Sequence, residues 1–182
     1  RMPYLVPYST TVGDLDGDGQ TEIVCGTNYG GGSRVAVIDN SVELKWVSQP
    51  WRGLRATGFE RQDMFCMTLV ATGDVSAESP GHEVVAVTQG GVGVYSASGK
   101  LLGAAHAPIG FTAVVADGPM VYLGSSPNGD DTIYGIDMSG DWQQAVNELS
   151  RQGLAKQIGD NLAALQKQVD AHSSQPRSDS QY

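Results

Sequence analysis

Short apolar runs separated by turns rich in Gly and Asp follow one another along the chain as far as Asp137. Runs of this kind, rich in Val and Ile and bounded by turn residues, are typical of strands rather than helices. One unit recurs: an apolar strand ending in Gly-Asp or Ala-Asp, a turn, a second strand ending in small residues, a third strand and a polar fourth strand. The pattern therefore predicts a mainly β protein built from repeats of four strands.

Three copies of this unit can be read, each with an Asp at the end of its first strand: Asp14, Asp74 and Asp117. The first copy is predicted over 11–46 and the second over 69–103, whereas the third covers 112–137 and lacks a fourth strand. The later two Asp are about 43 residues apart, a normal length for a four-stranded propeller blade. The first interval is longer, about 60 residues, because an insertion follows Ser48.

The turn after the first predicted strand carries alternating acidic residues, with acids at loop positions 1, 3, 5 and 9 and Gly19 at position 6, where the chain must turn sharply. Carboxylates spaced in this way converge on one point, and a hard divalent cation with roughly six to eight oxygen ligands would neutralise them. The EF-hand loop needs a Glu at position 12, but apolar residues 23–25 follow here, so this loop leads into a strand. The spacing predicts a structural calcium site, with a solvated acidic turn as the alternative. Its predicted ligands are Asp14, Asp16, Asp18, Glu22 and the backbone carbonyl of Gln20.

Residues 12–24, VGDLDGDGQTEIV, resemble the FG-GAP or VCBS repeat, the calcium-binding blade of integrin-α-type propellers and of many bacterial extracellular propellers. The resemblance extends over about 10–140 and implies β-propeller blades, bound calcium and an extracellular location. The family commonly has Asp at loop position 9, where this chain has Glu22. The second loop has Ser76 in place of an Asp and the third shrinks to 117–119. The resemblance therefore implies one well-formed calcium loop, one degraded loop and one lost loop.

About three blades make an incomplete ring. Propellers close with roughly four to eight blades, and the ring leaves sheet edges exposed until it is complete. We therefore expect the chain to be a segment of a longer protein or to complete a ring on another chain, with an open stack of repeats as the alternative. Its expected partners are the remaining propeller blades, on the same or another chain.

After Gly140 the apolar spacing changes from that of strands to that of a helix. Asp141 is a suitable helix cap, and apolar residues recur at helical intervals at Trp142, Ala145, Val146, Leu149, Leu154, Ile158, Leu162, Leu165 and Val169. This predicts one amphipathic helix interrupted near Gly153, or two helices, packed on the propeller or on a neighbouring domain. The predicted organisation is 1–140 for the propeller blades, 141–172 for the helical segment and 173–182 for a disordered polar tail.

Charge and hydropathy narrow the classes of partner. The chain has 20 acidic and 11 basic residues, a net charge of -9, so the phosphates of a nucleic acid would on average be repelled. No apolar stretch approaches the roughly 20 residues that span a bilayer. Extracellular calcium would fill a loop of this kind better than cytosolic calcium, so we expect a secreted, extracellular or periplasmic protein. Cys25 and Cys66 are expected to be free buried thiols, with a disulfide between them as the alternative.

The insertion at 49–63 groups cations with aromatic rings in an otherwise acidic chain. Arginine offers a planar fork for carboxylates, and an aromatic ring can stack on a sugar. The insertion therefore predicts a binding site for an acidic glycan or a protein ligand, the alternative being a loop that caps the core. Its candidate residues are Trp51, Arg52, Arg55, Phe59 and Arg61.

The sequence carries no Ser/His/Asp signature, phosphate loop or zinc pattern, and its three histidines are scattered. We therefore predict a calcium-stabilised propeller segment of a larger extracellular protein, serving carbohydrate or protein binding or cell adhesion, without catalytic activity in this chain alone. The alternative function is a non-catalytic or partial-site portion of a secreted polysaccharide lyase or glycoside hydrolase.

Overall fold

Antiparallel strands are the commonest elements of the described chain. The computed structural model describes residues 7–29, 32–49, 68–77, 79–88, 91–106, 111–125 and 132–173. Within these ranges eleven strands form three sheets, and one helix follows them. The prediction of a mainly β protein with a C-terminal helical segment is confirmed at this level.

Each sheet is a meander whose neighbouring strands are consecutive in the chain, as tight turns require. The first sheet contains β1 (Pro7–Gly13), β2 (Glu22–Tyr29), β3 (Gly32–Ile38) and β4 (Leu44–Val47). The second contains β5 (Leu69–Gly73), β6 (Glu83–Thr88), β7 (Gly91–Tyr95) and β8 (Leu101–His106). The third contains β9 (Phe111–Asp117), β10 (Met120–Ser125) and β11 (Ile133–Asp137). Every predicted strand overlaps an observed one.

The second sheet is buried between the other two. The opening strands contact one another in order, β1 against β5 and β5 against β9. Successive side chains of a strand point to opposite faces, so Val84 and Ala86 join the core shared with the first sheet, while Val85 and Val87 join the core shared with the third. This two-sided burial explains why residues 84–87 of β6 form an unbroken apolar run.

Close backbone approach and hydroxyl bridges join the first two sheets. Ser9 Oγ donates a hydrogen bond to the carbonyl oxygen of Thr68 at 3.0 Å and accepts one from the Val70 amide at 2.9 Å. A side chain at Gly26 would bring its Cβ to 2.0 Å from the same Thr68 oxygen. A residue without Cβ is therefore required at this point of contact.

The outer edge of the first sheet is also held against the second. Trp46 Nε1 donates to the Ala97 carbonyl oxygen at 2.8 Å, and its ring lies 6.0 Å from that of Tyr95, measured between centroids. The Trp46 ring lies directly over Gly99, which has a φ of +82°. The turn between β7 and β8 therefore packs beneath the last strand of the preceding sheet.

The helix α1 (Trp142–Ser173) begins where a fourth strand of the third sheet would be expected. Asp141 Oδ1 accepts a hydrogen bond from the Gln144 amide at 3.1 Å, which is the predicted cap. Trp142, Val146 and Leu149 pack into the core between the second and third sheets. The start of the helix is therefore tied to the sheets.

The rest of α1 departs from expectation in two respects. The helix is continuous, so the interruption predicted near Gly153 is wrong; one glycine costs a helix only about 1 kcal/mol and does not break it. Ile158, Leu162 and Leu165 are exposed, so the described contacts with the sheets are confined to the beginning of the helix. None of the described helical residues belong to a stretch apolar and long enough to cross a membrane.

Several predictions fall outside the described residues. The candidate ligand site at Trp51, Arg52, Arg55 and Arg61 lies in the range 50–67, as does Cys66, and the tail from 174 onward is also outside. Cys25 is a free, buried thiol, and burial raises its pKa. The domain boundaries stay a prediction.

Two aspartates organise turns at the ends of strands. Asp39 Oδ1 accepts hydrogen bonds from the amides of Glu43 and Ser41, both within 2.9 Å, and Asp137 Oδ1 accepts one from the Ser139 amide at 2.9 Å. The Ser139 hydroxyl also donates to Asp137 Oδ1, at 2.6 Å. These bonds to the ionised form hold the pKa of each carboxyl below its ordinary value, and the largest cause is the Glu43 amide for Asp39 and the Ser139 hydroxyl for Asp137.

A pH dependence follows from these lowered pKa values. A carboxyl with a lowered folded pKa adds stability that is present above its unfolded pKa, 3.8 here, and lost as pH falls through the folded pKa. Asp39→Asn should therefore lower the urea midpoint at pH 7 but not at a pH below the folded pKa. Asp160→Asn, the same substitution at an exposed helical position, is the matched control. A midpoint difference of the same size at every pH would contradict this role for the Asp39 charge.

Candidate metal centre

Asp14 fixes the path of the loop that joins β1 to β2. Its Oδ1 accepts a hydrogen bond from the Gly17 amide at 2.8 Å and its Oδ2 accepts one from the Gly19 amide at 2.9 Å. Both glycines have positive φ, +76° and +82°, a conformation that glycine adopts at no steric penalty. The Asp-Gly spacing of the sequence thus produces the tight turn that was predicted.

The turn brings three carboxylates together. Asp14, Asp16 and Asp18 each place an oxygen so that all three oxygens lie within 4.8 Å of one another. Oxygens that ligate one calcium ion at about 2.4 Å are at most about 4.8 Å apart, when they lie on opposite sides of it. The donor set is all oxygen, anionic and accessible to solvent, so these three residues fit a hard divalent cation.

Gln20 connects this loop to the turn between β3 and β4. Its amide donates to Asp18 Oδ1 at 2.8 Å, its Nε2 donates to Asp18 Oδ2 at 3.2 Å, and its Oε1 accepts from Asn40 Nδ2. These contacts orient Asp18 and engage the side chain of Gln20. The predicted role of its backbone carbonyl as a ligand stays a prediction.

Glu22 lies outside the group of three. It is 2% exposed, its Oε2 accepts a hydrogen bond from the Leu15 amide at 2.9 Å, and its Oε1 accepts one from Lys45 Nζ at 2.9 Å. The carboxylate thus secures the start of the loop to the start of β2. Its predicted role as a calcium ligand stays a prediction.

Lys45 is a residue of this site that the sequence did not predict. Besides Glu22, its Nζ contacts Asp16 Oδ2 at 2.8 Å. The Asp16 hydrogen bond is the larger cause that raises the pKa of Lys45, ahead of Glu22, and the same bond lowers the pKa of Asp16. A lone lysine in a polar strand distant in sequence from the loop carries no pattern that would have identified it.

The second sheet repeats the buried glutamate but not the acidic loop. Glu83 Oε2 accepts hydrogen bonds from the amides of Val75 and Ser76 at 2.9 and 3.0 Å, as Glu22 does from Leu15. The two loops also touch: the His82 amide donates to the Leu15 carbonyl oxygen at 3.0 Å, beside Gly81, whose φ is +91°. The buried glutamate is therefore a structural element that the first two sheets share at the start of their second strands.

A comparison with known protein families finds a known repeat in the first sheet. Residues 6–38 match the family model described as FG-GAP repeat. The match contains the acidic loop and ends at the last residue of β3. No curated protein matches the chain. The chain therefore contains an FG-GAP repeat, as its sequence predicts.

Proposed function

We propose that residues 7–137 form three successive blades of a calcium-stabilised β-propeller in an extracellular or periplasmic protein, and that this propeller is a binding or adhesion module. The observation that carries the proposal is the FG-GAP repeat over 6–38, together with two further antiparallel sheets whose opening strands follow β1 in order. Such an arrangement of meander sheets is typical of propeller blades.

The free face of the third sheet supports the expectation of further blades. Val115, Tyr122 and Ile133 are 58%, 40% and 75% exposed, while Val121 and Leu123 on the other face are fully buried. The register places Val115 opposite Tyr122, so these two exposed side chains share one face. An exposed apolar sheet face is a surface on which another sheet can pack.

Calcium should stabilise the chain. An ion that binds the native loop alone adds about 2.7 kcal/mol to the free energy of unfolding at one hundred times its Kd. Asp18→Asn should remove this gain, because it removes one of the three clustered charges but keeps an acceptor for the Gln20 amide. The measurement is the melting temperature with calcium or with chelator. The control, Asp137→Asn, lies outside the loop and should leave the calcium response intact. A wild-type melting temperature that is the same with calcium and with chelator would refute the calcium proposal.

The isolated chain should self-associate through the free face of the third sheet. Sedimentation velocity is expected to show concentration-dependent association that Val115→Glu with Ile133→Glu reduces. The control, Ile158→Glu with Leu162→Glu, makes the same charge change on the exposed part of α1 and should not reduce it. A monodisperse wild-type monomer would contradict the proposal that further blades cover this face.

The ligand of the module is proposed to be an acidic glycan or a protein that contacts the insertion through Trp51, Arg52, Arg55 and Arg61. Charge-assisted hydrogen bonds from the arginine side chains would select carboxylate or sulfate groups. The enzyme-linked alternative, a portion of a secreted polysaccharide lyase or glycoside hydrolase, differs in requiring a catalytic group elsewhere in the parent protein.

A further inference from the structure

We propose that Lys45 serves as an internal cation for the acidic loop: it holds the loop together without an ion and must be displaced when calcium binds. This inference rests on the proposed calcium function and concerns the affinity of that same site. It makes the loop a site at which a lysine and a divalent ion compete for the same carboxylates.

The geometry places Lys45 as a bridge rather than as a surface charge. Its Nζ lies 2.8 Å from Asp16 Oδ2 and 2.9 Å from Glu22 Oε1, and its side chain is 32% exposed. It belongs to β4, at the opposite edge of the sheet from β1. The ammonium group therefore links the acidic loop, which joins β1 to β2, to β4, a strand distant from that loop in sequence.

A register irregularity marks the position of Lys45. In the first sheet Val37 pairs with Trp46 and Ile38 with Leu44, so Lys45 is the extra residue between two pairs. Such irregularities re-aim side chains. The lysine is thus presented at a point where the strand departs from regular pairing.

The second sheet is an internal comparison that lacks the lysine. There Val94 pairs with Gly103 and Tyr95 with Leu101, so Leu102 occupies the position that corresponds to Lys45. Glu83, the counterpart of Glu22, is fully buried, and its Oε1 has no hydrogen-bond partner among the described residues. The buried glutamate alone therefore does not require a lysine in this fold.

What distinguishes the first sheet is its cluster of three aspartates, and the lysine accompanies that cluster. An ion at about 2.4 Å from an Asp16 oxygen would lie within roughly 6 Å of a lysine nitrogen that kept its contact with the same carboxylate. Like charges at this distance repel. Calcium and Lys45 are consequently alternatives as partners of Asp16.

The test compares wild type with Lys45→Met by calorimetric titration with calcium chloride and by melting in chelator. We expect calcium to bind Lys45→Met about tenfold or more tightly than wild type. In chelator, Lys45→Met should melt well below wild type, because the three aspartates and the buried Glu22 then lack a cation, and calcium should restore much of the difference. Lys100→Met, the same change beside the corresponding strand β8, should alter neither quantity.

The outcomes separate this inference from the calcium proposal. Equal or weaker calcium affinity in Lys45→Met, with wild type binding normally, overturns the role of Lys45 and leaves the calcium site standing. Binding by Lys45→Met alone would show that Lys45 excludes calcium, and it would overturn the calcium proposal for wild type. Binding by neither variant overturns both.

A second variant covers the case in which Lys45→Met does not fold in chelator. Lys45→Met combined with Glu22→Gln removes the buried charge along with its partner, and it should still bind calcium more tightly than Glu22→Gln alone. If the double variant binds no more tightly than Glu22→Gln, the competition does not exist.

Discussion

Replacing Gly26 with Ala is expected to destabilise the chain by about 3 kcal/mol, toward the upper end of what overpacking a tight contact typically produces. The added Cβ would lie 2.0 Å from the carbonyl oxygen and 2.7 Å from the carbonyl carbon of Thr68. Both atoms are backbone and cannot rotate away, so the first two sheets must separate. Urea unfolding should show a lower midpoint with an unchanged slope if the native state stays compact.

The matched control for Gly26→Ala is Gly159→Ala. It adds the same methyl group within α1, where a Cβ would meet nothing within 4 Å. Alanine is the better helix former by about 1 kcal/mol, so this variant should be neutral or more stable. A Gly26→Ala midpoint equal to that of wild type would show that the contact between the first two sheets is looser than the distance implies.

Replacing Glu83 with Leu should destabilise the chain by a similar amount, about 3 kcal/mol. The buried Val75 amide and the partly buried Ser76 amide would lose their acceptor oxygen, and an unsatisfied buried donor costs about 1–3 kcal/mol. Glu83→Gln keeps an acceptor oxygen for the two amides and should therefore lose less. Urea midpoints of the two variants give the comparison.

Glu148→Leu makes the same change at an exposed position of α1, where Glu148 accepts hydrogen bonds from Arg151 and Gln152 of the same helix. It should shift stability by no more than about 0.5 kcal/mol. If Glu83→Leu proved equally mild, the buried glutamate would not be the element that holds the second loop.

The sequence by itself determined the features whose causes are local. Apolar runs bounded by turn residues predicted the position of each strand, because strands and turns depend on residues that are close together in the sequence. The loop was predictable for the same reason: Asp14 bonds the amides of Gly17 and Gly19 within one turn, and that turn brings Asp16 and Asp18 to it. The Asp141 cap is equally local.

Only the tertiary structure decided the features that depend on register and on packing between sheets. The spacing predicts Glu22 as a loop ligand, but it does not predict that the pairing of β3 with β4 brings Lys45 to Glu22 across the sheet. The need for glycine at position 26 arises from Thr68, which belongs to the approach of the next sheet. Leu162 is exposed because α1 extends beyond its contacts with the sheets. Residues so distant in sequence come into contact only through the pairing of strands and the packing of sheets. Local patterns along the chain do not predict that register.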